Sequence, residues 1–131
     1  MKNQKLMGIV ILFCCFIFMA MTTIDWEVPA KYKDMTNPQA GVEDDDEIGA
    51  DLFATHCASC HGTEGYGDGK KAATLDTEMR DFSSEEVQAQ TDGTLYYKSI
   101  IGKDEMPNFE KKISDVEERW LLINYLRTLG E

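Results

Sequence analysis

The segment Cys57–His61 reads Cys-Ala-Ser-Cys-His, and it constrains this chain more than any other feature. Two thiols three positions apart lie on about one turn of chain, so each can add to one of the two vinyl groups of a haem edge. The histidine that follows can supply an imidazole nitrogen to the iron from the same side. The motif therefore predicts one covalently bound haem c, attached through Cys57 and Cys60, with His61 as the proximal iron ligand.

Two other chemistries use paired cysteines: a redox-active disulfide and a zinc site. Redox C-x-x-C motifs usually accompany a βαβ pattern, which this sequence does not show. A zinc site needs a second pair of ligands, and no Cys or His follows His61. The remaining cysteines, Cys14 and Cys15, lie in an apolar segment. Covalent haem is the interpretation that the motif favours.

The opposite face of the haem iron needs a second ligand, and the chain offers few candidates. His56 directly precedes Cys57 and is too close to the attachment site to reach that face. Two methionines follow the motif, Met79 and Met106. Met106 precedes Pro107 in a polar loop, and a proline with its fixed backbone angle helps to hold a thioether in place. Met106 is the preferred distal ligand and Met79 the alternative.

Apolar residues recur at helical spacing in three places, and no strand pattern of convincing length is present. Helices are predicted at 46–56 and at 94–101. The last helix is the clearest, since Ser114 and Glu117 fit a capping box at its start. Its apolar stripe consists of Leu122, Tyr125, Leu126 and Leu129. We therefore expect an all-α fold of three or more helices with long loops around one covalent haem.

Together these residues resemble a class I cytochrome c of the bacterial, single-haem type. The resemblance is carried by Cys57–His61 near the start of the domain, by Met106-Pro107 in a late loop and by the C-terminal helix. A Gly-x-Gly-x-Gly loop at 65–69 is a further match. The resemblance implies the cytochrome c fold over roughly residues 48–129, with one haem c and axial ligation by His61 and Met106.

The same resemblance implies how the helices pack around the haem. It implies that Gly49 and Phe53 of the first helix contact Leu122 and Tyr125 of the last. Side chains expected to face the haem are Leu95, Tyr96, Ile100 and Ile101. Candidates to meet the haem propionates are Tyr66, Arg80, Tyr97 and Trp120. One departure is that no proline lies between His61 and Pro107 to accept the ring N–H of the proximal histidine.

The N-terminus predicts export from the cytoplasm. Lys2 and Lys5 precede residues 6–24, which contain no charge over 19 positions, or roughly 28 Å of helix. Basic residues before this run and acids after it predict that the N-terminus stays in the cytoplasm and that the rest of the chain lies outside it. Residues 1–24 are interpreted as a transmembrane anchor or signal segment, and whether they are retained, cleaved or lipidated stays open.

Two further regions complete the domain prediction. Residues 25–47, with two prolines and a run of five acids, are predicted to form an acidic extended linker. Residues 48–131 are predicted to form the cytochrome c domain. Residues 25–131 carry all 24 acids and 11 of the 13 bases, a net charge of −13. A domain so acidic is a poor candidate for binding nucleic acid.

An iron closed by His and Met has no open position for a substrate, so one-electron transfer rather than catalysis is expected. The resemblance implies a carrier on the outer, periplasmic side of the cytoplasmic membrane. Its partners would be a quinol-oxidising complex and a terminal oxidase or reductase, both with basic docking patches. Two alternatives stay open: a fixed haem subunit of a membrane respiratory complex, and a haem-based sensor or peroxidase-like protein.

Overall fold

The computed structural model describes residues 26–131. In this part of the chain, helices and turns are joined by loops, and the β-pairing consists of one isolated bridge between Lys103 and Met106. The predicted all-α fold class is confirmed. None of the helices within 26–131 has the length and apolar character needed to cross a membrane. The predicted anchor or signal segment, 1–24, lies outside the described residues.

Six α-helices, most of them short, are formed between residues 26 and 131. They are α1 (Ala30–Lys33), α2 (Ile48–His56), α3 (Ala58–His61), α4 (Glu85–Gln88), α5 (Asp92–Tyr96) and α6 (Val116–Thr128). A 3₁₀ turn spans Ala72–Thr74, and α5 continues as a π-helical turn over Tyr97–Ile101. The helix predicted at 94–101 therefore begins earlier than expected and changes its hydrogen-bonding pattern midway.

Helices α2 and α6 cross at Gly49, and this contact fixes the part of the chain that leads into the cysteine motif. A Cβ atom at Gly49 would collide with the Leu121 carbonyl oxygen and would lie 2.9 Å from the Tyr125 Cβ. The rings of Phe53 and Tyr125 are 5.3 Å apart between centroids. The predicted contact of Gly49 and Phe53 with Tyr125 is thus present. Gly49 meets the backbone of Leu121, however, rather than Leu122.

The start of α6 differs from the predicted capping box. Asp115 is the N-cap, and its carboxylate accepts a hydrogen bond of 2.7 Å from the Glu117 N–H. Ser114 lies one residue outside the helix, so its prediction as the cap was wrong. Aspartate caps a helix as well as serine does, and its negative charge also interacts favourably with the helix dipole. Ser114 and Asp115 are adjacent, and Asp115 occupies the N-cap position.

Residues 26–40, which we call the N-terminal strap, pack against the domain instead of extending from it. Val28 is only 4% exposed. The strap lies so close to α5 that a Cβ atom at Gly93 would collide with the Tyr32 carbonyl oxygen. The rings of Tyr32 and Tyr97 are 4.8 Å apart. The expected extended linker therefore does not describe this part of 25–47.

The acidic run at 43–47 also departs from a plain tether. Asp44 caps α2: its two carboxylate oxygens accept hydrogen bonds from the N–H groups of Ile48, at 3.0 Å, and Gly49, at 2.7 Å. The other four acids of the run are exposed, as the sequence predicted. One carboxylate of the five is used to satisfy the free N–H groups at the start of a helix. The run thus ends in an ordered contact with the domain.

Candidate haem site

The two cysteines of the motif lie at the junction between α2 and α3. The Cys57 N–H donates to the Phe53 carbonyl at 2.8 Å, which continues α2 up to the motif. Both thiols are free; Cys57 is buried and Cys60 is half-buried. Burial, and secondarily the neighbouring Cys60, raises the pKa of the Cys57 thiol to about 12. Cys57 is therefore a neutral, apolar-like group, with its partner thiol one turn away.

His61 ends α3 and its ring lies in the protein interior. The ring packs against Phe82, with centroids 4.6 Å apart and planes 31° from parallel. Both ring nitrogens are buried, and neither has a hydrogen-bond partner among residues 26–131. Burial lowers the pKa of His61, which favours the neutral imidazole that binds metals. Buried polar atoms are normally paired, and bonding to iron would satisfy one of these two nitrogens. The other has no acceptor among residues 26–131.

The loop after the motif folds back onto it. The N–H groups of Gly67 and Gly69 donate to the carbonyls of His61, at 2.8 Å, and Cys60, at 3.1 Å. A Cβ atom at Gly69 would collide with the Cys60 backbone, and Gly67 has a φ of 82°, where a side chain would be strained. The glycines of this loop thus allow the close return of the backbone. We call residues 57–71 the proximal segment.

A cavity of about 250 Å³ opens beside the proximal segment. His61 lines it, and so do both candidate distal ligands, Met79 and Met106. The ring of His56 instead lies 5.8 Å from that of Phe109 and does not line the cavity. The structure therefore brings an imidazole and two thioethers to one cavity. Both methionines therefore remain candidates for the distal iron ligand, and His56 does not.

Met106 belongs to a tightly wound loop, residues 102–107, which we call the distal loop. Gly102 begins it with a φ of 71°, and a Cβ atom there would collide with the Met106 carbonyl oxygen. The Met106 N–H donates to the Lys103 carbonyl at 2.9 Å. Met106 is half-buried and packs against the hydrophobic core. The position of this methionine is therefore fixed by its own loop and by the core beneath it.

Glu105 joins the distal loop to the loop that precedes Met79. Its carboxylate accepts hydrogen bonds from the N–H groups of Asp76, at 3.2 Å, and Thr77, at 2.7 Å. Hydrogen bonding by Thr77, and then by Asp76, holds the pKa of the Glu105 carboxyl below its ordinary value. The sequence does not predict this contact, because nothing local distinguishes Glu105 from the other surface acids.

The side chains predicted to face the haem divide between the cavity and the core. Leu95 lines the cavity. Tyr96 instead packs against Trp120, with ring centroids 4.5 Å apart, and Ile100 is fully buried in the core. Neither of these, nor Ile101, is among the cavity-lining residues of the described chain, so the lining does not support these three predictions. From the π-helical turn, Lys98 and Ser99 line the cavity instead.

Of the four propionate candidates, Arg80 alone is among the described residues that line the cavity. Tyr66 is 57% exposed, and Trp120 is buried against Tyr96. Tyr97 packs against the strap residue Tyr32. Trp26, Gln90 and Lys98 are among the polar or aromatic lining residues that were not predicted from the sequence. They come from three separate elements, so no local pattern signals them.

The competing interpretations of the cysteine motif gain no support. The two thiols are free rather than joined in a disulfide. Within residues 26–131, no three His, Cys, Asp or Glu side chains cluster in a way that would hold a metal ion. A zinc centre therefore has no ligand set in this part of the chain. The neutral, unpartnered imidazole beside two thiols and an adjoining cavity fits covalent haem.

One curated relative is the cytochrome c subunit of a cytochrome bc1 complex from Corynebacterium diphtheriae. It is 29% identical to this chain over an alignment of 106 residues that covers 78% of the chain. The matching region is 32% of the relative, so the chain spans about a third of that protein's length.

The part of the chain that contains the motif, both candidate methionines and α6 matches a protein family. The chain matches the family described as Cytochrome c over residues 47–130. Cys57 and Cys60 lie within this match, in place for thioether attachment. The match spans more than half of the sequence. The chain therefore belongs to the cytochrome c family, and its cofactor is covalently bound haem c.

Proposed function

We propose that this protein is a one-electron carrier whose haem iron is bound by His61 and Met106. The bound haem supplies the one-electron couple, and the residues of the chain hold and enclose it. The observation that supports this most directly is that one cavity is lined by the unpartnered His61 imidazole and by methionine thioethers. Thioether ligation favours ferrous iron, and a six-coordinate iron leaves no position for a substrate.

Met106 is the better of the two candidates for the distal position. A Cβ atom at Gly67 would lie 3.1 Å from the Met79 Cβ, so the Met79 backbone runs beside the proximal segment. Gly67 in turn donates to the carbonyl of His61. A ligand opposite His61 must come from the other side of the cavity. Met106 comes from a different loop and is supported by the core.

We further propose that the protein works on the outer face of the cytoplasmic membrane, with residues 1–24 as its anchor. The relative is a subunit of a bc1 complex, which supports partners in a respiratory chain. The net charge of −13 over residues 25–131, from 24 acids and 11 bases, favours partners with basic docking patches. Electron transfer between the protein and such a partner should slow steeply as ionic strength rises.

Absorption spectroscopy of the purified holoprotein tests the ligand set. The oxidised protein should show the near-infrared methionine-to-iron charge-transfer band, and the reduced protein should not bind carbon monoxide readily. Absence of the band together with rapid carbon monoxide binding would contradict electron transfer through a closed site. That result would favour the sensor or peroxidase-like alternative. Intact mass measurement on the same sample reports the haem and the fate of residues 1–24.

A further inference from the structure

The N-terminal strap lies outside the part of the chain that matches the cytochrome c family, which is 47–130. It is nevertheless ordered against the domain. Val28 and Asn37 are buried, and Met35 packs against the hydrophobic core. Ordering the backbone between these residues costs conformational entropy, which the contacts of the strap must offset. Those contacts are concentrated on the helix that borders the haem cavity.

The strap is bound to α5 by backbone and ring contacts. A Cβ atom at Gly93 would collide with the Tyr32 carbonyl oxygen, so the two backbones lie in direct contact. The Thr91 hydroxyl, at the start of α5, donates to the Lys33 carbonyl at 3.2 Å. The rings of Tyr32 and Tyr97 are 4.8 Å apart between centroids. The strap therefore contacts both α5 and the π-helical turn that continues it.

A hydrogen-bond network around Asn37 fixes the later part of the strap. The Asn37 side chain donates to the Asp92 carboxylate, at 2.9 Å, and to the Asn124 side-chain oxygen, at 2.8 Å. Asn124 donates in turn to the Gln39 carbonyl at 2.6 Å. Asp92 also accepts hydrogen bonds from Arg127 of α6. Release of the strap would leave these part-buried polar groups unsatisfied, which is unfavourable.

The segment that the strap contacts also forms one wall of the haem cavity. Leu95 of α5 lines the cavity, and so do Lys98 and Ser99 of the π-helical turn. Tyr97, which lies between them in sequence, packs against the strap instead. The same short segment thus contacts the cavity and the strap. The position of the strap is therefore coupled to the position of that wall.

Trp26, the first residue of the strap, reaches the cavity itself. It lines the cavity together with His61 and Met106. An indole is a large, flat and mostly apolar group, so it excludes water over a wide area. Val28 is buried two residues later, which limits how far Trp26 can move from the site. The strap therefore supplies a cavity side chain that comes from outside the family match.

We propose that the strap is part of the haem site, where Trp26 packs against the bound haem and excludes water from it. The inference rests on the proposed function, since it requires haem in the cavity between His61 and Met106. Excluding water disfavours the extra positive charge of ferric iron, so the indole raises the reduction potential. Asn37 is a positioning residue, because it acts through the strap that carries Trp26.

Tryptophan fluorescence measures the distance between the strap and the haem without relying on activity. The chain has two tryptophans, so Trp120→Phe leaves Trp26 as the single one. Haem quenches nearby tryptophan by energy transfer, and native holoprotein of this variant should emit several-fold less than the same protein in denaturant. The emission difference between wild type and Trp26→Phe gives the same information without altering the core. Native emission equal to that in denaturant would overturn the proposal.

Two substitutions in the Trp120→Phe protein test whether the strap holds Trp26 in place. Asn37→Ala removes the hydrogen bonds to Asp92 and Asn124. Gly93→Ala adds a Cβ atom that collides with the Tyr32 carbonyl, although alanine itself favours a helix more than glycine does.

Each substitution should raise the emission of Trp26 several-fold. Thr36→Ala is the matched control, because Thr36 is an exposed strap residue next to Asn37, and it should leave Trp26 quenched. Quenching that is unchanged in both Asn37→Ala and Gly93→Ala would overturn the role of the strap.

The reduction potential tests what Trp26 does to the haem. Trp26→Ala should lower the potential, so that the ferrous-to-ferric ratio at a fixed ambient potential falls several-fold. Trp26→Phe keeps an apolar ring and should retain most of the wild-type value. These substitutions leave the Asn37 network in place, so they can be measured even if displacing the strap prevents folding. A residue with a purely structural role would change the free energy of unfolding without this shift, and an unchanged potential in Trp26→Ala would overturn the proposal.

These outcomes are separable from the proposed electron-transfer function. A protein that keeps the methionine-to-iron band but shows an unquenched Trp26 is an electron carrier whose strap lies away from the haem. A wild-type protein without the band refutes the proposed ligand set, whatever the fluorescence shows. Both measurements use the same full-length holoprotein.

Discussion

The proximal segment and the distal loop face one cavity but are built in different ways. The proximal segment is closed by contacts between near neighbours, such as the bond from the Gly67 N–H to the His61 carbonyl. The distal loop is wound on itself through the Met106 N–H and the Lys103 carbonyl, and it is also tied to a distant segment, since Glu105 accepts from Thr77, 28 residues earlier. A short-range motif can specify its own geometry, whereas the opposite side of the site exists only once the chain has folded around it.

The largest effect should come from the proximal cysteines. Replacing both Cys57 and Cys60 by serine removes the two sulfurs that form thioether bonds, so covalent haem should be lost completely. Haem-dependent staining after denaturing electrophoresis, together with intact mass, measures this. Cys14→Ser with Cys15→Ser is the matched control and should retain the haem. A covalently attached chromophore in the first double variant would refute the assignment of the attachment site.

The next largest effect should distinguish the two methionines. Met106→Leu should abolish the methionine-to-iron band, allow carbon monoxide to bind and lower the reduction potential. The fall should be on the order of 0.1 V or more, within the roughly 0.8 V that axial ligands span. Met79→Leu, also a change in a cavity-lining methionine, should keep the band. The opposite pattern would make Met79 the ligand and move the distal position to the other loop.

Gly49→Val should destabilise the packing of α2 against α6 without displacing the distal methionine from the iron. The added side chain collides with the Leu121 carbonyl where α2 crosses α6. Overpacking of this kind costs about 1–3 kcal/mol, measurable as a lower free energy of unfolding in denaturant. Ala54→Val is the control on an exposed position of the same helix. The methionine-to-iron band should persist in both variants; its loss in Gly49→Val would show that the two sides are coupled.

The smallest effect is expected from Glu105, which tests whether the distal loop needs its distant partner. Glu105→Ala removes the acceptor for the Asp76 and Thr77 N–H groups. The methionine-to-iron band should weaken and carbon monoxide should bind faster than in wild type, but less than in Met106→Leu. Glu105→Gln keeps one carbonyl acceptor and should recover part of the wild-type behaviour. Glu43→Ala, an exposed acid without such bonds, should match wild type.

Several predictions made from the sequence depended on local pattern alone, and these are the ones that the structure matches best. The spacing in Cys57–His61 predicts the cofactor that the family confirms, because thioether attachment requires that spacing. The periodicity of α6 predicts a buried stripe, and Leu122 and Leu126 are buried in the core. The axial assignment to Met106 stays a prediction, since both methionines line the cavity.

The predictions that differed involve competition between neighbours or contacts across the chain. Asp115 displaces Ser114 as the cap because both suit the position and only backbone geometry selects one. The turn at Tyr97–Ile101 is π-helical, and a 3.6-residue period does not anticipate this hydrogen-bonding pattern. The prolines and charges of the strap are typical of solvated segments and favour a linker. Its ordering instead depends on the hydrogen bonds of Asn37 to Asp92 and Asn124.

The sequence by itself determined the chemistry, because two thiols and an imidazole at this spacing predict covalent haem. The period of apolar residues in α6 likewise predicts a helical core. Tertiary structure alone decided which loops enclose that haem and how closely the N-terminal strap lies against it. The physical reason is the separation in sequence between the residues that interact. Bond lengths and helical period relate residues a few positions apart, whereas the contacts of Glu105, Asn37 and Trp26 join segments whose approach depends on the whole folded chain.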